Sequence, residues 1–136
     1  MKSKYFKIHE IVPKNIYDKY GEKAWRFVPA RLIRMIDSFK ETFPDGTITI
    51  NNYIWGGNRY WSGWRTPEST YYSTTSMHAS CRAVDMLFSD YTADEVRKRV
   101  IAEQNGAFRE VKGLELGTSW VHADVRNEDT LVTFNA

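Results

Sequence analysis

The sequence predicts a single α+β domain built on a small antiparallel sheet with two main helices. Three observations carry this expectation. Short β-branched or alternating segments outnumber helical ones, crossovers between them are few, and two stretches carry helix signals. At 136 residues the chain suits one domain around one core, residues 1–136, with residues 1–20 expected as an extended N-terminal arm.

Phe6 to Val12 alternates poorly and ends at Pro13, which suggests the extended arm, and Tyr17 to Gly21 reads as a turn. Between Glu22 and Phe43, Trp25, Val28, Leu32, Ile33, Ile36 and Phe39 recur at intervals of three and four, the period of one helix face. Pro29 lacks the backbone donor a helix interior needs, so the helix is expected to start there. Pro44-Asp45-Gly46 ends it, and Thr47–Asn51 alternates as a strand. Asn52 to Ser73 shows no period, and a loop of that length implies a job. Ala83–Phe88 reads as a buried strand, and Thr92-Ala93-Asp94-Glu95 has capping-box spacing for a second helix running to about Asn105. Phe108–Val111, Trp120–Val125 and Thr130–Phe134 are the remaining expected strands.

Composition narrows the function classes. Apolar residues make up 42% of the chain without any stretch long enough to span a bilayer, so no membrane association is expected. The start, Met1 to Lys7, carries charge but no apolar run, so it does not read as a secretory signal, and synthesis in the cytoplasm is expected. Cys81 is the only cysteine, which excludes an internal disulfide. A formal charge of +2 is too small to argue for nucleic acid and permits only mild attraction to polyanions.

The chemistry gathers in two runs, Ser76 to Asp85 and Ser119 to Arg126. Each holds a histidine with an aspartate nearby: His78 with Asp85, His122 with Asp124. Two imidazoles and one carboxylate suit zinc and leave a fourth position for water, as catalytic sites do. On a straight strand, His78 and Asp85 would stand roughly 23 Å apart on opposite faces, so Ser80-Cys81-Arg82 has to supply a bend. His122 and Asp124 share parity, so one can bind a metal while the other orients it. Spacing leaves a second reading open, in which His78 is a loop histidine, His122 a half-buried strand residue, and the aspartates turn or surface groups.

Ser76-x-His78-x-x-x-x-Ala83-x-Asp85 followed by Trp120-Val121-His122-x-Asp124 resembles the signature of the D-alanyl-D-alanine carboxypeptidase-type zinc peptidases. That group includes VanY-like carboxypeptidases, the L-alanyl-D-glutamate peptidase endolysins of bacteriophages, and the hedgehog-like fold. Upstream, Ser62-Gly63-Trp64-Arg65-Thr66-Pro67 resembles the group's Ser-Gly-Tyr-Arg-Ser/Thr-Pro segment, with Gly57 before it, so the resemblance covers about Ile48 to Arg126. It implies Zn²⁺ held by His78, Asp85 and His122, with Arg65 holding a substrate carboxylate or the developing oxyanion and Ser76 beside the site. Many members carry the general base three positions before the second histidine, where this chain has Ser119. Glu115 resembles the glutamate that other members place before Trp-Val-His, and it is the candidate base, with Asp124 as fallback. Cys81 stands where the group has glycine, and a cysteine ligand or nucleophile is the rival use of that residue.

Tyr53, Trp55, Tyr60, Trp61, Trp64, Tyr71 and Tyr72 crowd the long loop, where they either stack on substrate or pin the loop. Trp64 and Tyr72 lie nearest the motifs and are the candidates for substrate contact. His9 reads as a packed histidine and Arg97-Lys98-Arg99 as a solvated helix side. The resemblance implies a monomeric zinc metallopeptidase, a D,D-carboxypeptidase or endolysin acting on the peptide stem of bacterial peptidoglycan in a phage or prophage lysis context. The alternative is an inactive zinc-containing wall-binding module of the same fold.

Overall fold

The computed structural model describes all 136 residues as one mixed α+β domain with three α-helices and a five-stranded sheet. The helices are α1 (Lys14–Tyr20), α2 (Ala30–Thr42) and α3 (Ala93–Ala102). The strands are β1 (Ile48–Thr49), β2 (Ala83–Phe88), β3 (Gly113–Leu116), β4 (Val121–Asp124) and β5 (Val132–Asn135). Strand order is β1-β2-β4-β3-β5. All neighbours are antiparallel except β3 and β5, which run parallel, so the sheet is mixed where an antiparallel one was expected. Parity accounts for the exception. A β3–β4 hairpin turns at Gly117, where φ is +83°, and β5 then returns along the free edge of β3 in the same sense.

Period-two alternation divides the sheet into two unlike faces. Val84, Met86, Leu114, Val121 and Ala123 point to one side and join a core of 26 buried residues. The other side carries Asp85, His122, Asp124 and Glu115. Leu32, Ile33, Met35, Ile36 and Phe39 bury the apolar face of α2 in that core, and Phe39 reaches Phe88 of β2 with ring centroids 6.1 Å apart. Pro29 stands at the N-cap of α2, as its missing donor requires. Thr92 caps α3, its hydroxyl accepting the Glu95 N–H at 3.1 Å.

Several expected elements differ: the strand expected over Thr47–Asn51 forms only at Ile48–Thr49, and the turn expected over Tyr17–Gly21 is the end of α1. The arm over residues 1–20 is coiled rather than extended: Ile8–Glu10 forms a 3₁₀ turn, and α1 follows directly from Pro13 and stops at Gly21, where φ is +55°. Poor alternation there reflects burial all round, since Ile8, Ile11 and Val12 are fully enclosed. Phe108–Val111 forms turns instead of a strand, because Phe108 plugs the core against Phe39 with centroids 4.8 Å apart, and the strand starts only at Gly113. The second helix ends at Ala102, three residues before the expected stop. By contrast, β2 forms over the expected residues.

Phe39 sits at the centre of this packing with no exposed surface. Phe39→Ala is expected to lower unfolding free energy by about 3–5 kcal/mol, measured by urea denaturation. A change within about 0.5 kcal/mol, the range of ordinary surface substitutions, would contradict the assignment of the core.

Candidate metal centre

Three separate pieces of chain deliver His78, Asp85 and His122 to one point. His78 lies in a 3₁₀ turn, Met77–Ser80, capped by the Ser76 hydroxyl, which accepts the His78 N–H at 3.2 Å. Cys81 then takes the left-handed conformation, φ 58° and ψ 41°, and is the only non-glycine residue with positive φ. That is the bend the motif requires, and it reverses the chain so that the His78 Nε2 comes within 3.3 Å of Asp85 Oδ1. Left-handed backbone costs an L-residue about 1–2 kcal/mol, which is why glycine suits the position better than cysteine. Asp85 and His122 are direct partners across β2 and β4, and His122 Nδ1 lies 2.9 Å from the same Oδ1.

The outer nitrogen of each ring is fixed. His78 Nδ1 is 2.7 Å from the Gly63 carbonyl, which makes it the protonated nitrogen and leaves Nε2 as a donor to an ion. His122 Nε2 is 2.9 Å from Asp124 Oδ2 and leaves Nδ1 turned inward. One donor atom from each of the three residues lies within 4.8 Å of the others. Ligands ~2 Å from a shared tetrahedral ion stand ~3.3 Å apart, so the group has the composition, spacing and backing to hold a divalent metal ion.

Asp124 supports this group from behind. It is fully buried, and Arg126 grips it with Nε on Oδ1 and Nη2 on Oδ2, both at 2.8 Å. Gly113, its partner on β3, has no room for a side chain, since a methyl there would overlap the Asp124 carboxylate and Arg126 Nε. Burial opposes ionisation of Asp124, but the Arg126 and His122 hydrogen bonds outweigh it and hold the carboxyl down to about 2. Burial also opposes charge on His122, and the Asp124 and Asp85 carboxylates overcome it, raising the imidazole to about 9. Asp85 is likewise desolvated, yet hydrogen bonds from His122 and His78 keep its carboxyl well below the usual range.

A cleft of about 350 Å³ opens over the group, lined also by Arg65, Ser76, Glu115, Trp120, Arg126 and Phe134. Arg65 donates Nη2 to Asp85 Oδ2 at 3.1 Å and Nε to the Trp61 carbonyl at 2.7 Å. Glu115 reaches the cleft from β3. Its partner on β5 is Phe134, and the β3–β4 register continued by one pair sets it beside His122. Asp85, His122, Glu115 and Phe134 therefore form a row across four strands.

Six expected site residues meet in this cleft: His78, Asp85, His122, Arg65, Ser76 and Glu115. Asp124 does not serve as a fallback base, because it is enclosed behind His122 with both oxygens engaged. Trp64 and Tyr72 do not line the cleft. The Trp64 indole donates to the Ala79 carbonyl and packs on Phe27, which is a structural job, while Tyr71 rather than Tyr72 reaches Arg65, its ring centroid 5.8 Å from the guanidinium. Cys81 is buried and outside the cluster, and burial pushes its thiol up to about 12, which suits neither a ligand nor a nucleophile. Ser119 is exposed and lines a different cleft. His9 packs edge-on between Tyr17 and Trp55. Sequence reasoning assigns no role to Trp120, Arg126 or Phe134. Arg126 stands two residues from Asp124 in the second motif run, whereas Phe134 enters only through the β5 register.

No protein-family model matches the chain, and no curated protein or solved structure matches it either.

With a pKa raised from 6.5 to about 9, His122 in the metal-free protein is protonated at pH 7, and its pairing stabilises the fold below about pH 6.5 and ceases to as pH rises through about 9. Binding of a divalent ion at Nδ1 expels that proton, so affinity should rise from pH 6.5 to 9, with about one proton released at pH 7. Calorimetry of Zn²⁺ binding in buffers of different ionisation enthalpy measures this, and zero proton release with pH-independent affinity would refute it. Gly113→Ala should weaken metal binding roughly 10–100-fold by displacing Asp124 and Arg126, read by competition with a chromophoric chelator. Unchanged affinity would mean that His122 does not need this support.

Proposed function

We propose that the chain is a zinc-dependent peptidase that hydrolyses a peptide bond in bacterial peptidoglycan, with the hedgehog-like fold of the D-alanyl-D-alanine carboxypeptidase-type enzymes. The observation that carries the reading is the convergence of His78, Asp85 and His122, each outer ring nitrogen already held, at the floor of a cleft that also contains Glu115 and Arg65. Two imidazoles and a carboxylate favour zinc over the harder, all-oxygen cations. The order and spacing of the three sequence motifs supply the substrate class.

His78 Nε2, Asp85 and His122 Nδ1 would hold a zinc ion, which when bound would supply Lewis acidity toward a carbonyl and a water molecule. The remaining work falls to the protein. Glu115 accepts the proton of the attacking water and returns it to the leaving amine, the ordinary duty of a carboxylate at the edge of such a site. Arg65 stabilises negative charge developing on the carbonyl oxygen, and its bonds to Asp85 and Trp61 hold the guanidinium plane in advance. Ser76 caps the turn that presents His78, and Asp124 with Arg126 fixes the His122 ring. Trp120 and Phe134 wall the cleft with apolar surface that limits water around the reacting atoms.

Glu115→Gln should lower kcat roughly 10²–10⁴-fold while zinc content stays at that of the wild type. Zymography on purified cell wall measures the first and metal analysis the second, and mass spectrometry of the released muropeptides identifies the bond. o-Phenanthroline should abolish activity and added zinc restore it. Full activity of Glu115→Gln, or a wild type that binds zinc and releases no muropeptide, would overturn the proposal.

A further inference from the structure

We propose that Arg126 is the substrate's carboxylate anchor in this cleft, so that the preferred ligand is a peptide bearing a free carboxylate beside the bond to be cut. The inference rests on the peptidase reading and refines its substrate class.

Arg126 occupies an unusual position among the cleft residues. Its Nε and Nη2 both bond Asp124, which fixes the plane of the guanidinium, and its face packs over the Phe134 ring at 4.7 Å from the centroid. The third nitrogen, Nη1, donates to no protein acceptor. The side chain lines the cleft, and with two nitrogens turned back to Asp124, the edge left for a ligand is that of Nη1. A guanidinium held this way loses little entropy on accepting an anion, the condition under which arginine recognises a carboxylate well.

Arg65 is differently placed. Its Nη2 points at Asp85, one of the three metal-binding residues, and its Nε at a backbone carbonyl, so its charge is directed at the floor of the cleft. Arg126 instead packs on Phe134 of β5, at the end of the row away from Asp85. With a divalent ion bound, the charges of the ion, Arg65 and Arg126 exceed those of Asp85, Asp124 and Glu115, so the cleft attracts an anion. The carboxylate can be the peptide's C-terminus or the side chain of a stem glutamate, and the chemistry recognised is the same.

The test separates these sources and does not depend on turnover. Zinc-loaded Glu115→Gln protein is titrated calorimetrically with a synthetic stem peptide as the free acid, as its C-terminal amide, and with its glutamate carboxyl amidated. The free acid should bind roughly 10–100-fold more tightly than one of the amides, the range of a charged hydrogen bond, and the weaker amide names the source. In the Glu115→Gln, Arg126→Gln double variant the acid-over-amide ratio should fall to about one. The comparison is made with the double variant's zinc content matched to that of Glu115→Gln, so that the ratio reports on the anchor and not on loss of the ion through a loosened His122. Arg126→Lys should keep part of it. Equal affinity of all three peptides, binding of none of them, or a ratio that survives Arg126→Gln overturns the inference. Muropeptide release by the wild type is measured separately, so its failure would sink the peptidase reading on different data.

Discussion

The pairing of β2 with β4 in the register that sets Asp85 opposite His122 is the constraint on which the rest of the molecule depends. Period-two alternation means that a slip of one residue would exchange the two faces of a strand. If β4 slipped, Val121 and Ala123 would leave the core and His122 and Asp124 would enter it; if β2 slipped, Val84 and Met86 would leave and Asp85 would enter. The hydrophobic core thus enforces the geometry of the polar cluster without touching it. The same register extends through β3 to β5, so one alignment fixes the Asp85 carboxylate, the His122 imidazole, Glu115 and Phe134 in a row.

Burying so many ionisable groups is costly unless each is paired, and the pairing here is continuous. Arg126 holds Asp124, Asp124 holds His122, His122 meets Asp85, and Asp85 meets both His78 and Arg65. Signs alternate along this chain, which is why the two aspartates remain ionised and His122 gains a proton despite desolvation. A divalent ion can take the place of that proton, since it meets the same carboxylate and the same inward nitrogens. Without an ion, the extra proton on His122 is the cation that the two carboxylates share.

The residues of the candidate metal centre are legible in the sequence, but their surroundings are not. His78, Asp85 and His122 stand in short runs whose chemistry can be read directly, and the need for a bend near Cys81 follows from strand geometry alone. Ala83–Phe88 is equally plain, being apolar apart from Asp85 and bounded by polar turns. The coiling of residues 1–20 is hidden, because Ile8, Ile11 and Val12 are buried by contacts remote in sequence: Glu10 accepts from Asn51, Ile11 from Trp64, and Val12 from Tyr53. Phe108 misleads for a related reason, as a short apolar run does not reveal whether it paves a sheet or plugs a gap. Arg126 and Phe134 acquire a meaning only once β3 lies between β4 and β5, a parallel pairing that no local signal encodes.

Topology also bears on the choice of Glu115 over a residue nearer in sequence to His122. Ser119, three positions ahead, sits at the exposed end of the β3–β4 hairpin and faces another cleft, so no carboxylate placed there would meet the cluster without rebuilding the turn. Glu115, seven positions ahead, is carried back by the same turn to stand beside His122. Gly117, at φ +83°, permits that turn, and Gly113 keeps β3 close enough to enclose Asp124. A hairpin converts separation along the chain into adjacency across it, and that is how Glu115, rather than the residue at position 119, comes to line the cleft with His122.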